Sequence, residues 1–288
     1  MRFAISTAFL PVSELAAIAR AADELGYDAL AVPDHVVDLE TLRTPYPYTP
    51  DGSRRWGFDA EWPDPWVLIG SLAAVTERLR FFTSVYVPAM RSPFQVAKSV
   101  GTAAVLSGNR VALGVGIGWC EEEFELLEQG FRTRGRRTDE GLALVKELWQ
   151  PGWTEFAGEH YSAPRLVMEP TPTAPVPVYV GGLSEVAFRR AARHDGWVGD
   201  MYRTDEAIGW ATRLREVREE ARAAGDFRVI VALTDALVPE QFARAEEGGV
   251  TDCMTMPWAY YTGLDATLEQ KLDGMARFAE DVVRPMAR

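Results

Sequence analysis

LRFFTSVYVPAMRSPFQVAKSVGTAAVLSGNRVALGVGI, residues 79–117, holds one full strand–helix–strand unit. Leu79 to Val87 is an apolar run rich in aromatic and β-branched residues, the composition of a strand. Pro93 to Leu106 then places apolar residues at helical spacing, with proline where helices open. Ser107-Gly108-Asn109-Arg110 supplies a turn, and Val111 to Ile117 is a second apolar run. Strands that are apolar along their whole length fit parallel strands buried on both faces.

The alternation continues in both directions. Upstream, Arg2 to Ala8 reads as a strand and Ser13 to Leu25 as a helix, with Ser13 as N-cap and Gly26 as the stop. Asp28 to Val32 is a strand and Pro65 to Glu77 a helix. Downstream, Cys120 to Leu127 and Thr138 to Trp149 carry helical patterns. Strands at Val176–Val180, Gly196–Met201, Phe227–Leu233 and Thr251–Met256 alternate with helices at Ser184–Arg193, Thr204–Ala224, Pro239–Glu246 and Leu264–Val283. Eight alternations in 288 residues predict a single-domain α/β chain, residues 1–288, folded as a (β/α)₈ TIM barrel. A doubly wound open sheet competes, but it needs fewer strands and a glycine fingerprint after the first one. Ser6-Thr7-Ala8-Phe9 contains no glycine.

Two segments exceed plain connections, Asp34 to Pro63 and Gln150 to Pro175. Connections beyond about 12–15 residues are usually functional or disordered. The first carries Tyr46, Tyr48, Trp56, Phe58 and Trp62 and follows a strand, which places it at the C-terminal mouth where barrel enzymes keep their chemistry. With Pro257 to Gly263 it is where specificity is expected to reside.

Composition narrows the function classes. A net charge of -12 argues against nucleic acid and anionic membrane surfaces as partners. No run approaches the length of a membrane span, and the N-terminus lacks a signal-peptide pattern. Two cysteines, Cys120 and Cys253, make no disulfide framework, and three histidines at 35, 160 and 194 give no metal-ligand spacing. The expectation is a soluble protein of the reducing cytoplasm with no metal centre.

Several motifs sit where strands end. Asp34-His35 closes the second strand, so His35 reaches the mouth as a candidate proton-handling group, against the alternative that Asp34 caps a loop and His35 packs. Ser84 and Val85 end the third strand. Gly114-Val115-Gly116-Ile117-Gly118-Trp119 lacks the third position of a dinucleotide fingerprint. Glu121, Glu122 and Glu123 start a helix and complement its dipole, with one carboxylate at the mouth left open. Gly181-Gly182-Leu183-Ser184, a strand end leading into a capped helix, reads as an anion site against an ordinary turn. Arg132 to Arg137 is a basic cluster, either an anion dock or a solvated loop paired with Asp139 and Glu140. No Gly-x-Ser-x-Gly elbow, Walker loop or His-Glu-x-x-His occurs.

Together, residues 22–36, 63–127, 134–149 and 177–197 resemble the luciferase-like monooxygenase superfamily, and more narrowly its branch dependent on the deazaflavin coenzyme F420. The resemblance implies a barrel with the ring in its mouth and the cofactor phosphate on Gly181-Gly182. It implies cofactor contacts from Asp34, Ser84, Val85, Gly116, Gly181, Gly182, Leu183 and Ser184, with Ser84-Val85 forming a bulge that holds a non-proline cis peptide. It assigns catalytic positions to His35 and to Trp119 or Glu122, and Trp119 departs from the acidic residue of the sugar-phosphate dehydrogenases. The basic cluster would suit the polyglutamate tail of F420. The expected activity is hydride transfer between F420 and a small organic substrate. FMN is the alternative cofactor, in a flavin monooxygenase, and a non-catalytic cofactor-binding barrel is the second alternative. A homodimer is compatible with the resemblance.

Overall fold

A computed structural model describes residues 1–287. Eight parallel strands close into a barrel: β1 (Arg2–Ser6), β2 (Ala29–Val32), β3 (Arg80–Thr83), β4 (Val111–Val115), then β7 (Val178–Gly181), β8 (Gly196–Tyr202), β9 (Arg228–Leu233) and β10 (Asp252–Thr255), with β10 pairing back onto β1. The remaining pair, β5 (Thr154–Ala157) and β6 (Ser162–Leu166), is an antiparallel hairpin outside the barrel, inside the second long segment.

The apolar strand runs are explained by two destinations. Ala4, Ala29, Ala31, Phe82, Ala112, Tyr179, Val198, Ile230 and Met254 fill the barrel interior. Their neighbours at period two, such as Phe3, Ile5, Leu30, Val32, Phe81 and Leu113, pack outward against the helices. Alanines leave room for the Phe82 and Tyr179 rings, which meet edge-on at 6.0 Å. Gly114 is required by close approach, since a Cβ there would lie 1.8 Å from the Thr83 carbonyl oxygen.

The barrel strands alternate with helices α1 (Val12–Leu25), α2 (Pro65–Ala73), α3 (Pro93–Leu106), α4 (Glu121–Leu126), α5 (Arg134–Leu148), α6 (Glu185–Ala191), α7 (Thr204–Glu220), α8 (Pro239–Glu247) and α9 (Leu268–Phe278). No helix among the described residues is long and apolar enough to cross a membrane. Gly26 ends α1 in the left-handed region, at φ 87°, as its sequence position indicates.

Several boundaries differ from the sequence expectation; helices expected to reach Glu77 and Ala224 end at Ala73 and Glu220, and four differences have a local cause. Ser13 caps nothing: α1 begins at Val12 behind Pro11. The run 79–87 is a short strand, since after Thr83 comes a cis Ser84–Val85 peptide and then a 3₁₀ turn at Pro88–Met90. Arg134 to Arg137 form the first turn of α5 instead of a loop. The last helix starts at Leu268, where Thr267 and Gln270 satisfy each other's backbone N–H groups, and it runs into a π-helical turn at Ala279–Val283.

Candidate active site

The end of β2 divides two adjacent side chains between structure and cavity. Asp34 is buried, and its oxygens receive Arg91 Nη1 and Nη2, each at 2.7 Å, and the Val87 N–H at 2.9 Å. Burial pushes the Asp34 carboxyl up, so its ionised form depends on Arg91. Asp34 therefore ties β2 to the turn after β3. His35 faces the cavity, with Nδ1 3.0 Å from Glu123 Oε2. The other Glu123 oxygen accepts the Val36 N–H at 2.9 Å. Burial opposes ionisation of Glu123, but the His35 ring and the Val36 and Val37 N–H groups win, and its carboxyl lies below the usual range. A carboxylate on Nδ1 fixes the imidazole tautomer and leaves Nε2 for a ligand.

Glu122, the expected catalytic carboxylate, points elsewhere. It accepts N–H groups from Arg43 and from Thr44, the latter at 3.1 Å, and does not line the cavity. Burial works against its ionisation, yet these donors hold the carboxyl down to about 2. Glu122 thus fastens the aromatic segment, and Glu123 stands beside the histidine. Successive helix positions differ by about 100°, so three consecutive glutamates in the sequence do not reveal which one faces inward.

Residues 38–62 cover the mouth. His35 meets Trp62 at 4.8 Å, Trp56 at 5.1 Å and Trp119 at 6.0 Å between ring centroids. Tyr46 packs on Trp56 and on Trp119, both at 5.2 Å. Two ionic clasps hold the segment. Arg43 bonds Glu125 at 2.6 Å, and Arg55 reaches across the mouth to Asp200 of β8 through two bonds at 2.9 and 2.8 Å. The cavity beneath has a volume of about 780 Å³, ample for a drug-sized ligand.

Ser84, Val85, Gly116, Gly181, Gly182 and Leu183 line the same cavity. A Cβ on Gly116 would lie 2.6 Å from Val85 Cγ2, so that glycine makes room for the Val85 side chain. The Trp197 indole N–H holds the Gly182 carbonyl at 2.8 Å. Ser184 is an N-cap whose Oγ accepts the Ala187 N–H at 3.2 Å, and it does not line the cavity.

The basic cluster separates into unlike parts. Arg137 donates to the Ala89 carbonyl and to Gln129, and Arg136 lies 3.5 Å from Glu159. The partners expected for a solvated loop are engaged elsewhere: Asp139 pairs with Arg190 and Arg193, and Glu140 accepts backbone N–H groups of 159–161. Arg134 alone of the cluster lines the cavity. Its donors reach the Gly118 and Phe131 carbonyls, both at 3.0 Å, and among the described residues no carboxylate pairs with it. Burial pulls its pKa down, and the more distant Glu121 charge offsets this only in part. Such a cation in the cavity that Gly181 and Gly182 also line suits an anionic cofactor group.

Sequence reading left Glu123 open and missed Arg91 and Asp200. Their partners lie 57 and 145 residues away, and no local pattern announces such pairs.

The luciferase-like monooxygenase family matches residues 2–248. An uncharacterized Mycobacterium tuberculosis protein is 38% identical over 285 residues, covering 98% of this chain and 99% of its own. The F420-dependent glucose-6-phosphate dehydrogenase of Nakamurella multipartita is 33% identical over 192 residues, 65% of this chain and 51% of that enzyme. Among solved structures, the monooxygenase RslO1 from Streptomyces bottropensis superposes with a TM-score of 0.75 at 17% identity, covering both chains completely. With its closed eight-stranded barrel and a family match over most of its length, this chain belongs to the luciferase-like monooxygenase family.

Proposed function

We propose that the protein is an F420-dependent oxidoreductase acting on a small organic substrate beneath the 38–62 segment. The observation that carries this reading is the His35–Glu123 pair facing a cavity that also holds Arg134, a guanidinium with no carboxylate in hydrogen-bond reach among the described residues. The partial relative named for F420 dependence supports the choice of cofactor. When bound, the deazaflavin supplies a carbon centre that gives or takes hydride.

The residues of this chain have separate tasks. Arg134, with the Gly181-Gly182-Leu183 turn, would hold the anionic part of the cofactor. Ser84, Val85 and Gly116 form the wall for its ring. His35 Nε2 accepts a proton from a substrate hydroxyl or, when the ring is protonated, returns one to a carbonyl. Glu123 keeps His35 in the tautomer that allows this and stabilises the imidazolium. The aromatic cover excludes water from the reacting atoms.

Titration of the purified protein with oxidised F420 and with FMN tests the assignment. Saturable F420 binding, weakened about tenfold by Arg134→Gln, is expected. Tight FMN binding without F420 binding would replace this reading with a flavin monooxygenase, for which substrate-dependent oxygen uptake with reduced FMN is the second measurement. His35→Ala should keep cofactor affinity and lose about 10²-fold or more in kcat. Full turnover in that variant removes His35 from the mechanism.

A further inference from the structure

The charged residues that line the cavity show what it is built to reject. Asp34 is spent on Arg91, and Glu123 on His35 and two backbone N–H groups. Arg55 and Asp200 neutralise each other across the mouth, and Arg55 also donates to the Tyr48 carbonyl at 2.6 Å. Arg134 is the exception; it donates to the Gly118 and Phe131 carbonyls and, in the proposed function, serves the anionic part of the cofactor. No lysine lines the cavity among the described residues.

The half of the cavity under residues 38–62 is therefore aromatic and charge-neutral. Trp56, Trp62 and Trp119 stand around His35, and Phe9 and Tyr46 pack on those tryptophans, with ring centroids 4.8–6.0 Å apart. Rings at these spacings receive another flat ring favourably at face or edge. The hydrogen-bonding capacity left over there is neutral as well. Trp56 Nε1 and Trp62 Nε1 are buried without hydrogen-bond partners among the described residues. A ligand oxygen that parts the rings would satisfy them, whereas a phosphate dianion would find no free cation other than Arg134, which the proposed cofactor takes.

Building on the oxidoreductase reading, we propose that the substrate is an uncharged, planar ring compound bearing a carbonyl or hydroxyl oxygen, and that sugar phosphates are excluded. The Arg55–Asp200 pair is the specificity element: it closes the cover and withdraws the cavity's other guanidinium from any phosphate.

The test compares 1-tetralone with glucose 6-phosphate by quenching of tryptophan fluorescence, using full-length protein alone and with oxidised F420 present. The expected result is saturable 1-tetralone binding at least tenfold tighter than glucose 6-phosphate. Trp56→Leu should weaken it about tenfold, and Trp56→Phe, which keeps a ring, by under threefold. Asp200→Asn, which frees Arg55 from its carboxylate, should raise glucose 6-phosphate affinity several-fold. Equal or tighter binding of glucose 6-phosphate to the unaltered protein overturns the proposal, as does the failure of 1-tetralone to bind saturably. The two readings fail separately. Binding of 1-tetralone without F420 or FMN binding sinks the redox assignment alone, while cofactor binding with preference for the sugar phosphate sinks this one alone.

Discussion

Asp34 and His35 are neighbours in sequence with opposite fates, and the difference decides how each responds to mutation. Asp34 is a buried charge satisfied by a guanidinium at two points. Removing that partner leaves the charge without compensation. Arg91→Met should therefore destabilise the fold by about 3–5 kcal/mol in denaturant unfolding, and Asp34→Asn combined with it should recover part of the loss. In the proposed function Glu123 acts through His35. Glu123→Gln keeps the shape but offers Nδ1 an amide in place of a carboxylate. It should lower kcat by about 10-fold to 10²-fold while cofactor affinity and melting temperature stay close to those of the unaltered protein. A matching fall in melting temperature would make Glu123 a structural residue instead.

At the scale of elements, one half-buried histidine gives the fold an acid sensitivity unrelated to the cavity. His194 follows α6, and its Nδ1 lies 3.1 Å from Lys146 Nζ of α5. Burial, reinforced by the Lys146 cation, pulls its pKa down to about 4. The unfolded chain, with a histidine pKa of about 6.5, binds the proton first as pH falls. Stability should accordingly be full above about pH 6.5 and lost progressively toward pH 4, by about 2 kcal/mol between pH 7 and 5. His194→Gln should flatten that slope in melts recorded across the range. The elements themselves were mostly legible in the sequence, because a strand buried on both faces must be apolar throughout and Gly26 marks a helix end that favours glycine. Legibility failed where distant partners decide. Ser13 has the chemistry of a cap, but Pro11 and Val12 open the helix first. The basic run looked like a loop because its carbonyl acceptors, on Gly118 and Ala89, belong to other segments. The inward face of the glutamate run follows from the orientation of α4 against the barrel, which no spacing of identical residues encodes.

For the whole molecule, a cavity lined by many separate loops means that a ligand joins elements that are distant in sequence. F420 at a hundred times its Kd should stabilise the folded state by about 2.7 kcal/mol, seen as a rise of several degrees in melting temperature that Arg134→Gln reduces. No rise with either F420 or FMN would tell against a bound ring. The 38–62 segment adds a kinetic consequence. Its clasps, Arg43 to Glu125 and Arg55 to Asp200, shut the cavity from above, while Val85 and Gly181 belong to its wall at the strand ends. For a cofactor and a substrate that enter from the side of this segment, depth sets the order. The molecule seated against the strand ends must arrive first and leave last, so turnover should obey an ordered sequence, and an excess of the second ligand should trap the first in place.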